Sequence, residues 1–149
     1  MRAVLLLGVL LLAGCRHEVQ EAKRLLRGEP PVVTGALEGK WLLADLNGGG
    51  APAVPVDLEF DPGDQGTSRV VGSSGCNRFT GAWKQDGTKL TLGPLASTMM
   101  ACPPPAMEVE RKFLGVLQAV TMVEYQADGT VRLKAPDGRQ LLLKRPPAS

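Results

Sequence analysis

Three cysteines, a single histidine and one run of alternating carboxylates are the residues of this chain whose types could carry chemistry. Cys15 closes Leu12-Ala13-Gly14-Cys15, after Met1-Arg2 and an apolar run over residues 3–13. A short basic start, an apolar stretch too short to span ~30 Å of hydrocarbon, and small residues before a cysteine read as a signal peptide with a bacterial lipobox. The Cys15 thiol would then take a diacylglycerol and become the first residue of the mature chain. Each buried methylene contributes about 0.8 kcal/mol, so two or more acyl chains would hold it on a membrane. The alternative is an ordinary secretory signal with a chance cysteine. Arg16, not Asp, follows Cys15. By similarity to enteric lipoprotein sorting, this favours the outer membrane, facing the periplasm.

Cys76 and Cys102 remain. Two cysteines in an oxidising compartment invite a disulfide. Two free buried thiols are the plain alternative. A redox or metal pair is disfavoured, because there is no C-x-x-C and no nearby histidine. The one histidine, His17, lies in the charged, Pro-Pro-containing segment 16–36, which reads as a tether. A histidine there supports neither a catalytic triad nor a multi-histidine metal site, and no cofactor or metal is expected. Asp57, Glu59 and Asp61 alternate with Leu58 and Phe60. Such carboxylates could form an acid/base pair or a calcium site, but period two makes them the wet face of a half-buried strand. Residues 72–76, Gly-Ser-Ser-Gly-Cys, lack the last glycine of a nucleophile elbow. Asn47-Gly48-Gly49-Gly50 has no following Gly-Lys-Ser/Thr and reads as a turn, not a phosphate loop.

These residues must be positioned by one domain, since 149 residues leave little for a second. With 17 basic and 15 acidic residues and no basic block, nothing points to nucleic acid. The expected divisions are signal peptide 1–14, lipidated N-terminus and tether 15–36, and folded domain 37–146. Strands are expected at 41–46, 54–60, 69–72, 79–84, 90–92, 123–125, 131–133 and 141–143. Asp86-Gly87, Asp128-Gly129 and Asp137-Gly138 fall between apolar alternations, which signals hairpins in which both turn residues take φ > 0. One helix follows Pro103-Pro104-Pro105, with Ala106, Val109, Phe113, Val116, Leu117 and Val120 on one face. Glu108 and Glu110 are expected to favour its N-terminal dipole. The helix should cover one end or face of the sheet, giving an α+β fold of mostly antiparallel, curved sheet with one packed helix.

Several segments together resemble a known family. They are Gly75-Cys76-Asn77-Arg78-Phe79-Thr80-Gly81, Leu92-Gly93-Pro94-Leu95-Ala96-Ser97-Thr98-Met99-Met100-Ala101-Cys102-Pro103, and Met107-Glu108 leading into the helix. Leu37 to Leu43 and Leu141 to Lys144 fit as well, so the likeness covers roughly residues 37–145. The family is the META domain, with HslJ-like envelope lipoproteins among its members. The resemblance implies a small antiparallel cracked barrel with one helix, similar to lipoproteins that pilot secretins. It implies no catalytic residue and no defined ligand, and its associations are envelope stress, heat shock, antibiotic tolerance, motility and secretion. Cys76 and Cys102 match the family's two cysteines. Asn77 is expected to hydrogen-bond backbone on a tight bend, beside Phe79, with Gly75 and Gly81 allowing close approach or a bulge. The expected partners are a membrane, through the lipid, and an unidentified envelope protein or small apolar ligand. A pilotin-like binding module is the alternative to a non-enzymatic stress-response role.

Overall fold

Alternating apolar residues fix which side of each strand faces inward, and here those inward sides close on themselves. A computed structural model describes residues 37–64 and 67–147. Cys15, the expected signal segment and the expected tether with His17 lie outside them. Among the described residues there are nine strands and one helix: β1 (Gly39–Leu46), β2 (Asp57–Asp61), β3 (Arg69–Ser73), β4 (Arg78–Asp86), β5 (Lys89–Leu92), β6 (Ala96–Ser97), α1 (Pro104–Leu117), β7 (Met122–Tyr125), β8 (Val131–Lys134) and β9 (Gln140–Lys144). All pairings are antiparallel, in the order β3-β2-β1-β9-β8-β7-β5-β4-β6, and β3 also pairs with β4. The ring is therefore an eight-strand barrel. β6 lies along the same edge of β4 as β5, separated from it by Gly93, whose N–H donates to Ala82 O at 2.9 Å. This is the expected α+β class, with the sheet fully closed.

Closure is uneven. The β5–β7 seam has one paired position, Lys89↔Met122, whereas β2–β3 has five. Two backbone bonds cross the β5–β7 seam, Leu90 N–H to Thr121 O at 2.9 Å and Val123 N–H to Thr88 O at 2.8 Å, and side-chain amides add to them. Gln118 takes the Leu95 N–H on Oε1 at 3.0 Å and donates Nε2 to Gly93 O at 3.2 Å, in place of a neighbouring strand. Further along, Gln85 Nε2 donates to the Tyr125 hydroxyl at 2.9 Å.

Two plugs fill the barrel. At the end where the described chain begins, Leu37 is fully buried and its carbonyl accepts the Trp41 indole N–H at 2.7 Å. The Arg145 guanidinium lies 3.7 Å from the Trp41 ring centroid, and Phe60 and Trp83 meet edge to face at 5.2 Å. The opposite end is closed by α1, whose Val109, Phe113, Val116 and Leu117 are buried, with Phe113 against Phe79 at 5.5 Å. Between the plugs the interior is side chains from every long strand, Leu43, Leu58, Val70, Leu133, Leu141 and Leu143 among them.

Two expectations need correction. The helix has no acidic residue in its first turn. Pro104 and Pro105 occupy its first two positions and have no N–H to leave unsatisfied, so that end needs no carboxylate. Glu108 instead pairs with Lys112 at 2.7 Å on the exposed face. In the Asp-Gly turns, only glycine takes positive φ: Gly87 at 59°, Gly129 at 82° and Gly138 at 89°. Asp128 and Asp137 instead accept the N–H two residues on, from Thr130 at 2.9 Å and Arg139 at 3.1 Å. These bonds, with those from the Thr130 hydroxyl and the Arg139 guanidinium, hold both carboxyls below the usual aspartate range.

Candidate functional site

The motif residues 74–77 form the bend between β3 and β4, directly beneath α1. Gly75 has φ of 100°, and a Cβ there would stand 2.6 Å from Val54 Cγ2. Only glycine fits both the conformation and the space. A Cβ on Gly81 would meet Leu95 Cδ2 at 2.6 Å, so the β4 backbone approaches the β5–β6 connection closely. Phe79 is buried, 3 % exposed, against the helix. Cys76 and Cys102 form a disulfide, with Cα atoms 5.9 Å apart. It joins the bend to the segment leading into α1.

Beside the disulfide lies a polar cluster. Among the described residues, Ser74 and Asn77 are the buried polar ones, 0 % and 2 % exposed. Asn77 Oδ1 accepts from Met100 N–H at 2.7 Å and from the Thr98 hydroxyl at 2.8 Å. Asn77 Nδ2 donates to Glu110 Oε1 at 2.9 Å and to Met100 O at 3.2 Å. Its main partners are thus twenty or more residues distant, not the neighbouring backbone of the bend. Glu110 Oε2 accepts the Asn77 N–H at 2.7 Å. The Ser74 hydroxyl is 2.5 Å from the same oxygen and 2.8 Å from Asn77 O. An ionised carboxylate can only accept, so the hydroxyl proton goes to Glu110. Asn77 O is supplied by the Ser74 N–H at 2.8 Å.

Burial pushes the Glu110 carboxyl up. The hydrogen bonds from Ser74 and from the Asn77 side chain and backbone outweigh it, and the carboxyl sits below the usual glutamate range. The cluster is fully partnered: among the described residues no buried side-chain nitrogen or oxygen lacks a hydrogen bond. The sequence signals Asn77 and the cysteines. It does not signal Glu110, whose place opposite Asn77 depends on how the helix docks.

The other residues singled out from sequence are dispersed. Asp61 accepts Gly63 N–H at 2.9 Å and stands 3.8 Å from Arg69 at the surface. Asp57 and Glu59 point outward on β2 with it, and no group of three His, Cys, Asp or Glu among the described residues could hold a metal ion. The glycine turn after β1 folds onto Asp45, whose two oxygens take Gly48 N–H at 2.6 Å and Gly50 N–H at 2.7 Å. Donors that a phosphate loop would aim at its ligand are thus occupied. An open groove of about 400 Å³ lies between that turn and the start of α1. Leu46, Ala51, Pro52, Pro104, Pro105 and Val109 supply its apolar surface.

Comparison with known proteins matches this architecture. The META domain profile matches residues 34–148. A protein from Burkholderia xenovorans solved by NMR is 30 % identical, with a TM-score of 0.59 over 74 % of this chain and 83 % of that one. A second NMR structure is 26 % identical, with a TM-score of 0.55 over 72 % of this chain and 88 % of that one. No curated protein matches. The extent of the profile match, over a barrel that carries the Cys76–Cys102 bridge, makes this chain a member of the META domain family.

Proposed function

We propose that this META domain protein is an HslJ-like, non-enzymatic lipoprotein of the bacterial envelope, with a role in envelope stress or drug tolerance. The observation that carries the non-enzymatic reading is the engagement of the motif cluster with the fold itself. Each donor and acceptor of Asn77, and both oxygens of Glu110, bind groups of the fold itself. A reacting group needs a free lone pair or proton aimed at substrate, whereas this cluster acts as a clasp between bend, loop and helix. The disulfide suits an oxidising compartment. The sequence Leu12-Ala13-Gly14-Cys15 supports lipid attachment.

The test is a Cys15→Ala variant in cells. Loss of acyl labelling and of membrane association is expected. A variant that stays processed and membrane-bound would defeat the anchoring reading, and turnover of a defined substrate by purified protein would defeat the non-enzymatic one. The groove between the β1–β2 turn and α1 favours a second reading, a site for a small apolar ligand. Shift changes confined to Leu46, Ala51 and Val109 on addition of fatty acid would support it, and an unchanged NMR spectrum would remove it.

A further inference from the structure

Methionine is ordinarily a core residue, unbranched and adaptable. Among the described residues, none of the core side chains is methionine. The four methionines among the described residues all lie at the surface: Met99 is 96 % exposed, Met100 56 %, Met122 44 % and Met107 42 %. Met99 stands out further, because its two neighbours are fixed. Thr98 donates its N–H to Arg78 O at 3.0 Å, and Met100 is held by Asn77 through both its N–H and its carbonyl. Two residues on, Cys102 is tied to Cys76. The backbone therefore holds Met99 in water, where its side chain contributes nothing to packing.

We propose that Met99, with Met100 beside it, is a site of sulfoxide formation, through which the protein takes up oxidising equivalents from hydroperoxides without unfolding. In the step, a thioether lone pair attacks the outer peroxide oxygen. The S–O bond forms as the O–O bond breaks, the sulfur loses two electrons, and the proton passes to the departing oxygen. Hydrogen peroxide leaves as water, and an alkyl hydroperoxide as the alcohol. Nothing competes among the described residues through free thiols, because both cysteines there are already bridged. A sulfoxide elsewhere disrupts cores by turning an apolar chain polar. At Met99 the new oxygen meets solvent, and every hydrogen bond of the loop is made by other groups. The inference does not depend on lipid anchoring.

The experiment treats the intact chain with graded hydrogen peroxide and maps each added oxygen by peptide mass, with thermal melts on the same samples. Met99 should be oxidised first, roughly twofold faster than Met107, in line with their exposures. The singly oxidised protein should melt cooperatively at the temperature of the untreated one. A Met99→Leu variant should fold normally and lose the fastest oxidation step. Slower oxidation of Met99 than of Met107 or Met122, or a lowered melting temperature after the first oxygen, overturns the proposal.

Discussion

Replacing Asn77 separates a clasp from an incidental surface residue, because two substitutions with similar shapes must behave differently. Asn77→Ala deletes the acceptor for Met100 N–H and the Thr98 hydroxyl and the donor to Glu110 and Met100 O. Neutral bonds contribute about 1 kcal/mol each and the one to a carboxylate about 1.5–3 kcal/mol. Thr98 and Met100 are exposed, so water replaces part of what they lose. The net loss is then about 3 kcal/mol, a fall in melting temperature of roughly 12 °C for a domain of this size. Asn77→Asp keeps the acceptor but puts an anionic oxygen where Nδ2 stood, 2.9 Å from Glu110 Oε1. Two carboxylates in contact cannot both stay ionised cheaply. At pH 7 the Asp variant should therefore be less stable than the Ala variant. As pH falls towards about 4, one proton bridges the pair and most of that extra deficit should vanish. Urea or thermal melts at both pH values, with the disulfide kept oxidised, measure this. An Asp variant as stable as the Ala variant at pH 7, or with a deficit that ignores pH, would refute the clasp.

Three further outcomes follow from the same cluster and its neighbours. Because the folded Glu110 carboxyl titrates below its ordinary value, its contribution is present above about pH 4.3 and is lost as pH falls through the lowered value. Glu110→Gln should accordingly destabilise by about 1–2 kcal/mol at pH 7 and flatten the acid limb of a stability–pH curve. If the two curves stay parallel down to pH 3, the assignment fails. Cys76→Ala/Cys102→Ala should lose about 3.5 kcal/mol, from loop closure over a sequence separation of 26, in denaturant melts; thiol titration of the denatured, unreduced wild type should find no free thiol among these two. Gly75→Ala forces a side chain into φ of 100° and against Val54. A loss of about 1–3 kcal/mol is expected, and a neutral result would show that the bend relaxes freely.

Much of the barrel is legible in the sequence because its signals are local. Asp128-Gly129 and Asp137-Gly138 announce their hairpins from four residues each. The stripe from Ala106 to Leu117 announces the helix and its buried face. What is missed is set by contacts between distant segments. From its position alone Glu110 reads as a helix-dipole carboxylate, while its partners Ser74 and Asn77 lie 36 and 33 residues away. Gln118 reads as an ordinary polar residue at a helix end, and only the docked helix shows it standing in for a strand. Asn77 is legible as a motif residue, but the direction of its carboxamide is not, since its partners Thr98, Met100 and Glu110 are distant in sequence.

One pairing bears on how the chain reaches this state. The barrel closes between its first strand and its last: β1 pairs with β9, and Arg145 donates to the carbonyl of Glu38, 107 residues earlier. The β2–β3–β4 meander and the Cys76–Cys102 bridge need only the middle of the chain. The ring cannot be completed until residues 140–144 are available. A contact of that sequence span carries a large loop-closure entropy and makes for slow folding. During synthesis or passage through a narrow channel, the domain would therefore stay an open sheet with its apolar inner face uncovered until residues 140–144 had emerged. β9 is then the timing element of the fold, since its arrival sets when the apolar inner face is covered.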